Sequence, residues 1–217
     1  MSTIRASKSK DAQDTGISVA RIREMEMSVR NDKKKANFIL DIRKILSDEN
    51  LLQTIRLAAM HSLRRIFVHI METGILLSSM SSSSLAVDSL AEYVKWITQQ
   101  LQSYLDLLTG IISREGSEIQ AAAIRTSMEF VQREHMFRKS TIFGVNTYTN
   151  VIKALLIRRE IDIDILLMFR DEVLVKADCT YYGLKIVRSI LAQVFVCSIA
   201  VFVFLYPYRL FVSYLTV

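Results

Sequence analysis

The chain has 217 residues, and its six Gly and one Pro are too few for a turn-rich all-β protein, so long helices are favoured. This length suits one domain or a short repeat array with a buried core. The net charge of +6, taken as spread along the chain, allows nucleic acid or an acidic surface as partner and requires neither. Cys179 and Cys197 lie in unlike surroundings, so we expect no disulfide framework and a reducing compartment.

Residues 1–31 are polar and poorly patterned, which predicts a disordered N-terminus ahead of the folded part. The run Lys33-Lys34-Lys35 follows immediately after Asp32. Three lysines suit a phosphate-binding or nuclear-import patch, but a solvated first helical turn is the preferred interpretation of so short a run.

From residue 32 to residue 193, apolar residues recur at steps of three and four, the spacing of amphipathic helices. The breaks between these stripes predict seven helices, at about 37–46, 52–74, 88–113, 117–135, 148–159, 162–175 and 180–193. A serine-rich loop at 78–84 and a connection at 136–146 separate some of them. Helices in loose pairs predict an all-α fold, an α-solenoid of the HEAT or armadillo kind.

The break at Arg114-Glu115-Gly116-Ser117 separates the two longest stripes. Gly116 suits the left-handed conformation that ends a helix. Ser117 and Gln120 fit a capping box, in which the two side chains satisfy each other's free backbone donors.

The segment Ile161-Asp162-Ile163-Asp164-Ile165 alternates like a strand but continues into Leu166, Leu167 and Phe169 at helical spacing. A lone strand in a helical chain would have no partner, so a helix over 162–175 is predicted. Asp178 is then expected to cap the last helix.

The C-terminal residues 194–217 differ in composition from the rest of the chain. No charged residue lies between Arg188 and Arg209, and the twenty residues 189–208 are long enough to cross a bilayer. Arg188, Tyr206 and Tyr208 resemble interfacial anchors. The segment is therefore interpreted either as a membrane anchor or as an artefactual extension from an incorrect reading frame; a buried core helix is disfavoured because the run is apolar all round.

No catalytic, cofactor-binding or metal-binding residue is proposed. His61 and His69 are eight residues apart with no complementary ligands, and His135 stands alone. Asp178 beside Cys179 would raise the pKa of the thiol. Asp162 and Asp164 would point in different directions on a helix, and no phosphate-binding glycine motif occurs.

Several short pieces stand in an order and spacing that are specific as a set. They are Asn37-Phe38-Ile39-Leu40-Asp41-Ile42 with Ser47-Asp48-Glu49, Arg56 to Phe67 ahead of Glu72-Thr73-Gly74, Tyr93-Val94-Lys95-Trp96, Leu107-Leu108, Ile119 to Glu134, Phe169-Arg170-Asp171-Glu172 and Tyr181-Tyr182-Gly183-Leu184. In these pieces, the region from about Ala36 to Gln193 resembles the N-terminal part of the nucleolar complex protein 4 family, ribosome-assembly factors with a CCAAT-binding-factor-type domain in their C-terminal half.

The resemblance implies a non-catalytic nucleolar scaffold in small-subunit maturation, including pre-rRNA processing, assembly and export, in complex with nucleolar protein 14. The family's C-terminal partner-binding domain has no counterpart before Val217, so direct binding of nucleolar protein 14 by this polypeptide is not assumed. No cofactor is implied. The apolar tail has no counterpart in the family either, which favours the artefactual interpretation of residues 194–217.

Two alternatives accompany this leading hypothesis. The rival is a tail-anchored membrane protein with a cytosolic helical domain, held by residues 189–208. Within the scaffold hypothesis, pre-rRNA could be contacted through a set of arginines, namely Arg56, Arg64, Arg65, Arg158 and Arg159.

Overall fold

The structure is a computed structural model that describes residues 17–78, 87–136, 143–157 and 162–193. Over these ranges the chain is helical, without a strand, and the predicted all-α solenoid class is confirmed. The chain divides into two compact units, Met1–His69 and Ile70–Val217. The predictions for the serine-rich loop, for Arg158 and Arg159, for Cys197 and for the apolar tail fall outside the described residues.

The first unit is built from three helices and a short corner. Its elements are α1 (Val19–Asn31), a 3₁₀ turn (Lys33–Lys35), α2 (Phe38–Ser47) and α3 (Gln53–Glu72), of which only the last turn belongs to the second unit. Their buried side chains include Ile22, Ile39, Leu46, Leu63 and Ile66, each fully excluded from solvent. These residues recur at steps of three and four along each helix, so one apolar stripe per helix builds the core.

Helix α1 corrects the expected disordered N-terminus of residues 1–31. The Ser18 side chain caps it by accepting the Arg21 backbone N–H at 3.2 Å, and Ile22, Met25 and Val29 are buried. The fourth member of the buried stripe is Glu26, which is only 4% exposed. A carboxylate in the middle of the stripe hid the apolar period of this helix from sequence reasoning.

Glu26 is buried because α3 supplies its counter-charge. Arg65 donates from Nε to Oε1 at 2.7 Å, and Ser62 donates from Oγ to Oε2 at 2.9 Å. Burial alone would raise the pKa of Glu26, but the hydrogen bonds from Arg65 and Ser62 and the charges of Arg65 and Arg30 outweigh it and hold that pKa below its ordinary value. This ionised cluster connects α1 to α3.

The second unit contains the longer helices and matches the predicted spans closely. They are α4 (Ile75–Ser78), α5 (Val87–Arg114), α6 (Ser117–Arg133), α7 (Val145–Ile157), α8 (Ile163–Met168) and α9 (residues 177–193). Helices α5, α6 and α7 pack against one another, and α8 packs on α6. At the centre, the ring of Tyr104 on α5 meets that of Phe130 on α6 edge to face, with centroids 5.8 Å apart.

The junction between α5 and α6 differs from the predicted capping box. Gly116 is the N-cap of α6 with φ −73°, so it is not left-handed, and Ser117 is the first residue of the helix instead of its cap. Gln120 instead donates from Nε2 to the Ile112 carbonyl at 2.8 Å, satisfying a free acceptor at the end of α5. The left-handed glycine is Gly74, with φ +69°, where the sequence predicted the end of α3.

The strand-like alternation at 161–165 is resolved as a helix start, as predicted. The Asp162 side chain caps α8 by accepting the Asp164 backbone N–H at 2.9 Å. A π-helical segment, Phe169–Leu174, extends α8. Helix α9 already begins at residue 177, so Asp178 lies inside it and is not the expected cap.

Candidate protein-binding surface

Large apolar side chains are exposed mainly near the end of the described chain. Thirteen are exposed among the described residues, and ten of them fall between residues 156 and 191. These ten are Leu156, Ile157, Ile163, Leu166, Leu167, Leu174, Val175, Tyr181, Leu184 and Leu191. Scattered exposed apolar residues are ordinary, but a concentration on three consecutive helices is typical of an interaction surface.

Helix α9 is held in place by its inner side, which packs on α7. Cys179, Gly183 and Ile186 are buried, and the Tyr148 hydroxyl donates to the Cys179 carbonyl at 2.9 Å. Gly183 permits this approach, since a Cβ there would lie 3.1 Å from the Tyr148 oxygen. Burial, with a smaller contribution from Cys179, raises the pKa of Tyr148, so its hydroxyl remains a donor.

Aromatic rings add a second anchor for α9. The ring of Phe143 stacks on that of Tyr182 with centroids 4.5 Å apart and planes 8° from parallel. The same ring meets Tyr148 edge to face at 5.3 Å. One phenylalanine ahead of α7 therefore contacts both the α7 tyrosine and α9, which fixes the rotation of α9 about its own axis.

Helix α8 and its π-helical extension are fixed on α6. Ile165, Phe169 and Val173 are buried, four residues apart each time. Arg125 on α6 pairs with both carboxylate oxygens of Glu172, with Nε to Oε2 at 2.7 Å. The Arg125 hydrogen bond lowers the pKa of Glu172, and because the pair is exposed it contributes orientation more than stability.

The outer side of α9 carries Tyr181, Leu184 and Leu191, here called the α9 stripe. These residues are three and seven apart, which places them on one side of the helix. Leu184 is 68% exposed and Leu191 is 51% exposed. Arg188 lies between these two leucines, and the Lys185 ammonium sits 4.4 Å above the Tyr181 ring.

Helix α9 is thus apolar on both sides, and only one side is buried. In a helical-repeat protein, an apolar helix side of this kind is a surface on which another helix can pack. The sequence signal was present, since Tyr181, Leu184 and Leu191 stand at helical spacing beside the buried set. From the sequence, only a helix over 180–193 was predicted, without an exposed apolar side.

The residues considered for chemistry occupy structural positions. Burial raises the pKa of the Cys179 thiol, Asp178 raises it further, and Lys176 opposes them, in line with the expected unreactive cysteine. Asp162 serves as a helix cap. Within the described ranges, no group of three or more His, Cys, Asp or Glu could hold a metal ion.

The arginine set proposed for RNA contact is corrected by the first unit. Arg56 is only 5% exposed and donates from Nε to the Leu46 carbonyl at 3.1 Å, and Arg65 is held by Glu26. Both side chains maintain the fold and are not free for phosphates. Lys33, Lys34 and Lys35, in contrast, are all exposed.

None of the helices over the described ranges is long and apolar enough to span a bilayer. The candidate anchor at residues 189–208 falls within those ranges only at its first five residues, which belong to α9. The membrane hypothesis therefore has no support from the described part of the chain.

Consecutive helices that pack on one another, without a strand over the described ranges, are typical of helical-repeat proteins. Residues 9–194 match the family model described as nucleolar complex protein 4-like, TPR repeats. The chain belongs to this family, whose repeats are of the TPR kind rather than the HEAT or armadillo kind named from the sequence. No curated protein and no solved structure matches the chain.

Family membership indicates a role in ribosome biogenesis, a nucleolar or nuclear location and binding to protein partners. The family is of the non-catalytic scaffold type.

Proposed function

We propose that this protein is a non-catalytic scaffold in maturation of the small ribosomal subunit, and that the α9 stripe is a docking site for a helix of a protein partner. The observation that carries the docking site is the second, exposed apolar side of α9. Leucines at helical spacing present ridges that pack against a facing helix.

The charges beside the stripe indicate the chemistry of the partner helix. Lys185 and Arg188 flank the exposed leucines, and Arg188 is exposed between them. A partner helix with an apolar stripe and acidic residues along its edge would match both features. The basic residues Lys185 and Arg188 also disfavour a second copy of α9 as the occupant, because two such helices would bring like charges together.

The test is a double substitution, Leu184→Asp with Leu191→Asp, in the full chain expressed in cells. Both side chains are exposed, so the variant is expected to fold, and an unchanged thermal midpoint checks this. We expect wild-type chain to co-sediment with small-subunit precursor particles and the variant to lose at least about tenfold of that association, since two buried leucines contribute about 3 kcal/mol or more.

Leu90→Asp is the matched control, because Leu90 is an exposed leucine on α5, away from the stripe. Equal association of wild type and double variant would refute the docking site. Exclusion of the wild-type chain from the nucleolus and from precursor particles would refute the proposed function as a whole. Nucleolar protein 14, which the family resemblance names, is the first partner to test by pull-down.

A further inference from the structure

The net positive charge of this chain comes entirely from the first unit. Residues 1–69 contain 14 Lys and Arg against 8 Asp and Glu, a net charge of +6. Residues 70–217 contain 14 of each, a net charge of zero. The expectation that the net charge is spread along the chain is therefore wrong. The first unit holds the whole excess of positive charge.

In the part of the first unit that the structure describes, four acidic residues form caps, turns or ion pairs within the unit. Glu26 is buried against Arg65, and Glu24 pairs with Arg21. Asp32 accepts the Lys34 backbone N–H at 2.9 Å, and Asp48 accepts the Asn50 backbone N–H at 3.0 Å. All acidic residues of the unit are already included in the net charge of +6, so the unit keeps its excess of positive charge with these contacts formed.

The lysines of the 3₁₀ turn remain available. Lys33, Lys34 and Lys35 are exposed, and none of them takes part in an ion pair with a described residue. Lys44 on α2 and Arg23 on α1 are likewise exposed. Consecutive residues of a 3₁₀ turn are about 120° apart. The three ammonium groups therefore spread around the corner and do not converge on one small anion.

We propose that this basic corner, Lys33-Lys34-Lys35 between α1 and α2, binds the phosphate backbone of RNA without sequence preference. Spread, flexible ammonium groups suit successive phosphates of a polyanion. The choice of RNA as the source of the phosphates rests on the proposed role in ribosome assembly. The presence of the exposed lysines does not depend on that role.

The experiment uses the purified full chain and a fluorescent single-stranded RNA of about 20 nucleotides, with binding followed by anisotropy between about 50 and 200 mM salt. The test variant is Lys33→Gln, Lys34→Gln, Lys35→Gln. It is expected to bind about tenfold more weakly at the lower salt, with a slope of log K against log salt that is smaller by about 2, as loss of three phosphate contacts requires.

The matched control is Lys95→Gln, Lys153→Gln, Lys176→Gln, which removes the same charge from exposed positions of the second unit. Affinity of this control within about twofold of wild type supports the basic corner. An equal loss in both variants, no salt-dependent binding by wild type, or displacement of RNA by an acidic peptide at equal charge would overturn the proposal. If the chain binds RNA but is absent from precursor particles, the proposed function is refuted, whereas the proposed RNA binding by the basic corner is still supported.

Discussion

Glu26 shows how one buried residue can hold a helix, α1, that the apolar period of the sequence does not predict. Its carboxylate is 4% exposed and receives hydrogen bonds from Ser62 and Arg65, both on α3. A buried carboxylate without such donors would take up a proton, or the helix that carries it would unfold. The cluster therefore makes the position of α1 depend on an ionised side chain.

Replacing this carboxylate should destabilise the first unit in a pH-dependent way. Glu26→Gln is expected to lower the free energy of unfolding by about 1–3 kcal/mol at pH 7, because Arg65 loses its counter-ion but can still reach water. The pKa of Glu26 is depressed below 4.5, so its stabilisation is complete above that pH and is lost as pH falls through the lower folded value.

Urea unfolding from pH 7 to pH 3 measures both effects, and the gap between wild type and variant should narrow below pH 4.5. Glu24→Gln is the control, since Glu24 forms an exposed pair with Arg21 and should change stability by less than about 1 kcal/mol. A gap that is constant with pH would show that Glu26 acts through packing and not through its charge.

Two glycines predict opposite effects of the same substitution. A Cβ on Gly144 would lie 2.5 Å from both the Val131 carbonyl oxygen and Glu134 Oε2, so Gly144→Ala should cost about 1–3 kcal/mol by overpacking. A Cβ on Gly116 meets nothing within 4 Å, and its φ of −73° suits any residue. Gly116→Ala should therefore be neutral or stabilise by up to about 1 kcal/mol. Thermal unfolding of the two variants, measured in parallel, distinguishes them; equal midpoints would contradict this account.

At the scale of an element, α9 is positioned by a small number of contacts. Tyr148 donates to the Cys179 carbonyl, and Phe143 stacks on Tyr182. These contacts bury the inner side of α9 and leave the α9 stripe outside. The position of the α9 stripe therefore depends on the α7–α9 contact. A substitution at Tyr148 should loosen α9 and with it the stripe.

Tyr148→Phe removes the hydroxyl and keeps the ring. It should cost about 0.5–1.5 kcal/mol and speed amide hydrogen exchange across residues 177–193, because the Cys179 carbonyl loses its buried donor. Tyr93→Phe is the comparison, since the half-buried Tyr93 hydroxyl bonds no residue in the ranges that the structure describes. If amide hydrogen exchange in α9 is the same in Tyr148→Phe as in the wild type, Tyr148 does not anchor this helix.

At the scale of the whole molecule, charge and exposed apolar surface are divided between the two units. The first unit carries the net charge of +6, and the second carries eleven of the thirteen exposed large apolar side chains found among the described residues. A protein divided in this way can contact a polyanion and a protein partner through separate surfaces.

The uncovered stripe should also be measurable without a partner. The purified chain is expected to bind an apolar fluorescent dye, and Leu184→Asp with Leu191→Asp should lower that fluorescence more than Leu90→Asp does. Equal fluorescence of the two variants would mean that the stripe is already covered in the free protein. Sedimentation velocity on the same samples tests whether a second copy provides that cover.

Helix existence followed from the sequence wherever the apolar period was uninterrupted. The spans of α5, α6 and α7 and the end of α3 near Gly74 were predicted closely, because they depend on local periodicity and local turn chemistry. Helix α1 was missed because its stripe contains Glu26, whose burial depends on Arg65, thirty-nine residues away. The predicted capping box differs from the structure because the N-cap of α6 is Gly116, one residue before Ser117, and the Gln120 amide donates to the Ile112 carbonyl.

The sequence by itself determined the all-α class, most helix bounds and the family resemblance, since each depends on spacing and order along the chain. Only the tertiary structure decided which apolar side of α9 is buried and which is exposed, and that Arg56 and Arg65 are held by the Leu46 carbonyl and by Glu26. Periodicity shows that a helix has apolar or charged sides. It cannot show what packs against them, because the neighbours come from distant parts of the chain.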